Sequence, residues 1–159
     1  MLRLRGGPAL SAFRIEKLLR RINALAPEVT SLSATFLHLI DTDGDLAEPQ
    51  RAVLAGLLGD GPTADSVTAD CWVTPRFGTI SPWSSKATDI AHVCGLDTVR
   101  RIERVVEFRL TARGPLDAAL VARIAPALAR AAVAGALGCT EDWVAAAHQD
   151  QGLDWREVA

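Results

Sequence analysis

No two cysteines stand close together in this sequence of 159 residues. Cys71, Cys94 and Cys139 lie 23 and 45 positions apart (94 − 71 and 139 − 94), which provides no close pair to seat a metal. An odd, scattered count reads as reduced, buried thiols in a cytosolic protein. A basic excess is missing too: 17 cationic against 19 acidic side chains leave a net charge of −2. That argues against a chain whose task is to grip a phosphate backbone. The start, Met1 to Pro8, has no apolar core long enough for a signal peptide. The richest apolar stretch, Ala118 to Leu137, is broken by Arg123, Pro126 and Arg130 and cannot span a bilayer. There is no convincing sequence repeat, no interdomain linker and no GxGxxG, P-loop, GxSxG or HExxH motif. With 49% hydrophobic and 23% charged residues the composition is globular, which excludes disorder. A soluble, cytoplasmic protein of about one domain is expected, binding neither nucleic acid nor membrane.

Apolar periodicity supplies the elements. Leu2 to Arg5 alternates like a short strand, and Gly6-Gly7-Pro8 turns the chain. Ile15, Leu18, Leu19 and Ile22 then recur at helical spacing, with Ser11 as N-cap and Pro27 as stop. From Val29 to Ile40 the even positions Leu32, Ala34, Phe36 and Ile40 form one apolar face of a strand. Leu46 to Leu58 reads as a helix with Pro49 in its first turn and Gly59 at its end. Residues 60–66 are a predicted loop. Ala69 to Thr74 is a short strand with Cys71 and Val73 on one face and Trp72 on the other. Ala87, Ile90, Ala91 and Cys94 mark a helix closed by Gly95.

Val99 to Leu110 is the longest predicted strand. Ile102, Val106, Phe108 and Leu110 point one way, and Arg101, Glu103, Glu107 and Arg109 the other. A wet face of this kind favours an antiparallel sheet. A helix from about Pro115 to Leu137, kinked at Pro126, and a short one capped by Thr140 complete the series. Two strand–helix–strand units predict an α+β, ferredoxin-like sandwich with helices on one sheet face and extra helices at the C-terminus.

Little in the chain looks catalytic. Asp41-Thr42-Asp43-Gly44-Asp45 begins like a calcium loop, but positions six and twelve hold Leu46 and Ala52 where glycine and glutamate are needed. A plain turn capped by Asp45 is the better reading. His38 sits on an apolar face and His92 inside a helix, neither with a nucleophile or second ligand at readable spacing. Both read as hydrogen-bonded structural groups.

Polar groups crowd only in the stretch Thr74 to Asp89. A helix beginning at Ser84 or Ser85 offers unpaired N–H groups and a partial positive charge. Lys86 in such a first turn works against the dipole unless an anion or carboxylate approaches. Arg76 adds a second cation, Thr79, Ser81, Ser84 and Ser85 add donors, and Trp83 is a large ring in a corner suited to anchor a neighbouring surface. The candidate site, an interface or anion-binding loop, is therefore Arg76, Thr79, Ser81, Trp83, Ser84, Ser85, Lys86 and Asp89. The competing reading is a well-capped helix with Trp83 folded onto its own core.

The same stretch carries a resemblance. Val73 to Ala91, through Pro75-Arg76 and Gly78-Thr79-Ile80-Ser81-Pro82-Trp83-Ser84-Ser85-Lys86-Ala87-Thr88-Asp89, is similar to the N-terminal domain of large phosphoribosylformylglycinamidine synthase. Arg5 to Arg14, His92, Cys94-Gly95-Leu96 and Arg101-Ile102-Glu103-Arg104 extend the likeness, which covers residues 2 to 110 well and the remainder poorly. Phe77 stands where that family usually has proline. In the last long helix only Arg130 matches an expected Asp-Arg-Met-Thr-Glu type of motif. The resemblance implies a domain like a fused pair of PurS subunits over residues 1–137, followed by a short helix and loose tail or linker over 138–159.

It further implies a non-catalytic part of an ATP- and glutamine-dependent, amidine-forming ligase of purine biosynthesis. Such a part would organise the synthetase and glutaminase domains, its partners, for ammonia transfer. ATP and magnesium belong to the full enzyme, with no cofactor or metal expected in this chain. The alternative is a stand-alone PurS-like paralogue that binds a phosphorylated metabolite or a partner protein.

Overall fold

In a computed structural model of the chain, residues 1–59, 70–75 and 78–134 are described. Two long strands, β2 (Val29–Thr42) and β4 (Val99–Ala112), pair antiparallel at the centre of a four-stranded sheet. β1 (Leu2–Pro8) and β3 (Cys71–Val73) are the edges, both antiparallel to their neighbours, in the order β1-β2-β4-β3. α1 (Ala12–Leu25) joins β1 to β2, and α3 (Pro82–Val93) lies between β3 and β4. α2 (Glu48–Leu58) follows β2, and α4 (Ala118–Ala132) follows β4. This is the α+β, ferredoxin-like class that the periodicity predicts.

The period of two along β2 and β4 decides where the helices go. Leu32, Ala34, Phe108 and Leu110 meet Leu18 and Ile22 of α1 and Ile124 and Leu128 of α4 in one core. Ile40 and Ile102 meet Leu54 of α2, Ala91 of α3 and Leu96 in a second. α1 and α4 thus cover one half of the even-numbered face, and α2 and α3 the other.

The odd-numbered face departs from expectation. Glu103 and Glu107, predicted on a wet face, are buried, as are Leu37, Leu39, Val105 and Trp72 on the same side. Buried carboxylates need partners. Arg5 grips Glu107 through two nitrogens at 3.2 and 3.1 Å, with Arg109 at 3.6 Å, and Arg101 sits 3.1 Å from Glu103.

The two halves are related by a pseudo-two-fold axis at the facing pair Phe36 and Val106. Equivalent positions stand 70 apart, as for Ser11 and Ser81 (81 − 11) or Gly44 and Gly114 (114 − 44). The irregular pair Val29–Ala112 is repeated as Thr42–Val99. Likewise Asp43 N–H to the Thr98 carbonyl (2.8 Å) is repeated as Arg113 N–H to the Glu28 carbonyl (2.9 Å). The repeat is kept throughout the backbone, whereas only scattered residue identities such as Ser11 and Ser81 or Gly44 and Gly114 are shared.

Several boundaries differ from the sequence reading. β1 continues through Gly6-Gly7 to Pro8 with a register shift, β3 has only three residues, and α3 begins at Pro82. Cys71 is buried, and burial together with nearby Asp70 pushes its thiol up to about 12, but Cys94 is exposed, so the expectation of buried thiols fails there. Of the predicted Asp41 to Asp45 turn, Asp41 and Thr42 still belong to β2 and the chain bends at Asp43 and Gly44, with Arg100 paired to Asp41 at 3.3 Å and Asp43 at 3.2 Å. The predicted 60–66 loop, Cys139, the Thr140-capped helix and the 138–159 tail lie outside the described residues.

Candidate functional site

The start of α3 is fixed by a carboxylate of the chain itself. Ser81 is the N-cap, its Oγ accepting from Ser84 N–H at 3.0 Å. The same hydroxyl donates to Glu103 at 2.8 Å, and the Ser81 N–H donates to that carboxylate at 3.3 Å. Glu103 therefore occupies the position in which an anion at this helix start was expected. Arg101 closes the arrangement, donating to Glu103 at 3.1 Å, to the Thr79 carbonyl at 2.8 Å and to Ser84 Oγ at 3.3 Å.

One turn further on, Ser84 Oγ donates to the Ile102 carbonyl at 2.6 Å. Thr88 Oγ1 donates to the Ser84 carbonyl at 2.8 Å and accepts from the Ile102 N–H at 3.0 Å. These bonds stitch α3 to β4 and hold Trp83 in a defined place. The Trp83 indole stacks on His38 with ring centroids 5.6 Å apart and planes 19° apart. Phe36 lies beyond His38 at 6.3 Å. The Arg104 guanidinium carbon rides 4.6 Å from the Trp83 ring centre and 4.9 Å from that of Phe36. Cation–π contacts of this kind are favourable at such distances.

The pseudo-symmetry shows how unusual this cluster is. His38 and Arg104 face each other across β2 and β4, and their equivalents in the other half are Phe108 and Ala34, also a facing pair. There the pair is apolar and buried in the core. Here two polar side chains replace it, and His38 is 6% exposed with its Nδ1 without a hydrogen-bond partner among the described residues. Burial and the adjacent Arg104 charge push its pKa down to about 4, so the ring is neutral at pH 7. Gly6 makes room for it: a Cβ there would stand 2.7 Å from His38 Cε1 and 3.1 Å from Phe36 Cβ.

Of the expected site residues, Ser81 and Ser84 are buried and committed to internal bonds, and Thr79 and Trp83 are half-buried. Ser85, Lys86 and Asp89 are exposed on α3. Arg76 lies outside the described residues. Lys86 is the fifth residue of the helix rather than a first-turn residue, which weakens the dipole argument made for it. Beside Trp83 and Lys86, Ala87 and Ile90 face Leu57 and Leu58 of α2 across a groove of about 250 Å³. Sequence reasoning left Phe36, Arg101, Glu103, Arg104 and Gly6 out of the site and read His38 as a hydrogen-bonded structural group, whereas its Nδ1 has no such partner among the described residues. Only the period of β2 and β4 hinted that 36, 38 and 104 share a face.

His92, the other histidine considered, bonds the Val99 carbonyl through Nε2 at 2.6 Å and so ties α3 to β4. Among the described residues no group of three or more metal-ligating side chains converges, and no helix is long and apolar enough to cross a membrane. The corner thus brings aromatic surface, cations and a fixed helix start together.

Compared with models of protein families, residues 35–134 match the N-terminal domain of formylglycinamide ribonucleotide amidotransferase. The match runs from the middle of β2 through α4, further toward the C-terminus than the resemblance at residues 2 to 110 suggested, and leaves β1 and α1 outside. It covers well over half of the chain, including Phe36, His38, Trp83 and Arg104. The chain therefore belongs to the formylglycinamide ribonucleotide amidotransferase N-terminal family.

Proposed function

We propose that this chain is a non-catalytic, PurS-like part of phosphoribosylformylglycinamidine synthase in purine biosynthesis. On this reading it docks the synthetase and glutaminase domains, arranging them so that ammonia passes from glutamine to the activated amide. The observation that carries the reading is the braced corner at α3. Trp83 packs against both His38 and Arg104, beside exposed Lys86 and an apolar groove, within a region that matches the family. A half-buried tryptophan with a cation against its ring is the kind of anchor that dominates protein interfaces.

ATP and magnesium act in the partner domains. Reconstitution tests the proposal. Synthetase and glutaminase domains made without this part should form amidine from glutamine slowly, and adding the chain should restore the rate. The chain alone, given formylglycinamide ribonucleotide, ATP, magnesium and glutamine or ammonia, should give none. Amidine formation by the purified chain, or no response of the other domains to it, overturns the reading.

A further inference from the structure

On the other half of the helix layer a groove of about 380 Å³ runs between α1 and α4. Arg14, Lys17 and Arg21 of α1 line one wall and Arg130 of α4 the other, all four exposed. Spacings of three and four put the three α1 cations in one stripe. No acidic side chain lines the groove among the described residues, although the whole chain carries a net charge of −2. The only acid of α1, Glu16, lies off the stripe, and the span of α4 holds none. Like charges at these spacings are unfavourable by a few tenths of a kcal/mol, and Arg14 in the first turn also opposes the helix dipole. Stability of the domain does not select such a stripe.

The floor is apolar, with Leu18 buried in it and Phe13, 68% exposed, at its rim. Arg14 is further held by a bond to the Ala134 carbonyl at 3.2 Å, which fixes one end of the cationic wall just past the C-terminal end of α4. We infer that this groove is a docking site for an acidic, amphipathic α-helix of a partner protein. The three α1 cations are spread along about 10 Å of helix rather than converging on one point, which suits a row of carboxylates better than a single phosphate. The α1 start is not a free anion cradle either, because the Arg14 N–H is capped by Ser11 Oγ at 3.4 Å. Phe13 and the apolar floor receive the partner's hydrophobic stripe, as helix-in-groove recognition requires. This surface stands on its own observations and does not depend on the role given to Trp83.

The test titrates the isotopically labelled full chain, followed by NMR, with a helical peptide of alanine, leucine and glutamate whose glutamates repeat at spacings of three and four. A second peptide carries lysine in place of glutamate. Shifts confined to α1 and α4 with the acidic peptide only are expected. Lys17→Glu with Arg21→Glu should weaken binding at least about tenfold, and added salt should weaken it as well. The milder pair Lys17→Ala and Arg21→Ala keeps the test valid if charge reversal disturbs folding. No binding, equal binding by the lysine peptide, or unchanged affinity in both variant pairs overturns the inference. Displacement of the peptide by inorganic tripolyphosphate at equal affinity overturns it too, in favour of a small-anion site.

Discussion

At the scale of single residues, His38 and Gly6 are the most informative positions. An ordinary histidine near pKa 6.5 falls here to about 4, because its site is dry and Arg104 is close. As pH falls, the unfolded chain takes up the proton first, so folding loses stability. The contribution is complete above pH 6.5 and is lost as pH approaches about 4, by on the order of 3 kcal/mol in total. The melting temperature should drop between pH 6.5 and 4.5, and His38→Leu should remove most of that drop. An NMR titration placing the His38 ring near 6.5 would contradict it. Gly6→Ala should cost about 1–3 kcal/mol by pushing into the His38 ring, which Phe36 and Trp83 restrain. Gly7→Ala, with nothing within 4 Å of its new Cβ, is the control, and chemical denaturation should separate the two.

Sequence alone did not reveal this pair. Gly6-Gly7-Pro8 reads as a turn on local grounds, whereas Gly6 is needed because a ring from β2, 32 residues away (38 − 6), lies over it. His38 was legible as facing the apolar side, since its parity is that of Phe36 and Ile40. Its stacking partner Trp83 belongs to a helix that no short-range pattern brings near.

At the scale of elements, α3 is the part whose order rests on polar bonds. Its hydrophobic stripe is thin, with Ala91 buried while Ile90 and Val93 are exposed. The Ser81–Glu103–Arg101 arrangement compensates. Ser81→Ala should cost about 0.5–2 kcal/mol as a lost cap. Glu103→Ala should cost about 3–5 kcal/mol, because it strands Arg101 and the Ser81 donors in a buried place. The double variant should cost clearly less than the sum of the two, since both remove the same bond. Strictly additive unfolding energies would show that Ser81 and Glu103 are not coupled. Lys86→Ala, by contrast, should change stability by less than about 0.5 kcal/mol, as an exposed residue beyond the first helical turn.

The elements themselves were largely legible. Ser11 and Pro27 bounded α1 because a cap and a proline act locally, and alternation along β2 and β4 gave the core face correctly. The burial of Glu103 and Glu107 was not legible, because alternation reports polarity and not whether an arginine arrives from another strand. Arg5 reaches Glu107 across 102 positions of sequence.

At the scale of the whole molecule the duplicated backbone stands out. The two halves share bulges, caps and turns, but Leu18 corresponds to Thr88 and Ile22 to His92 (88 − 18 and 92 − 22 are both 70). Such exchanges erase the repeat from the sequence while the hydrogen-bond frame keeps it. The asymmetry is sharpest at the facing pairs of the two central strands. One half of the helix layer has an ordinary apolar centre at Ala34 and Phe108, and the other presents the His38, Trp83 and Arg104 stack.

The central claim is that this stack is a docking surface, and fluorine NMR tests it most directly. The chain labelled with 5-fluorotryptophan should give a resonance for each of its four tryptophans, Trp83 being assigned by its loss in Trp83→Phe. Added synthetase and glutaminase domains should shift or broaden the Trp83 resonance strongly while that of buried Trp72 holds its position, and Lys86→Ala should weaken the effect. A Trp83 resonance that does not respond at saturating partner, in domains shown to bind the chain, would contradict the account and return Trp83 to the chain's own core.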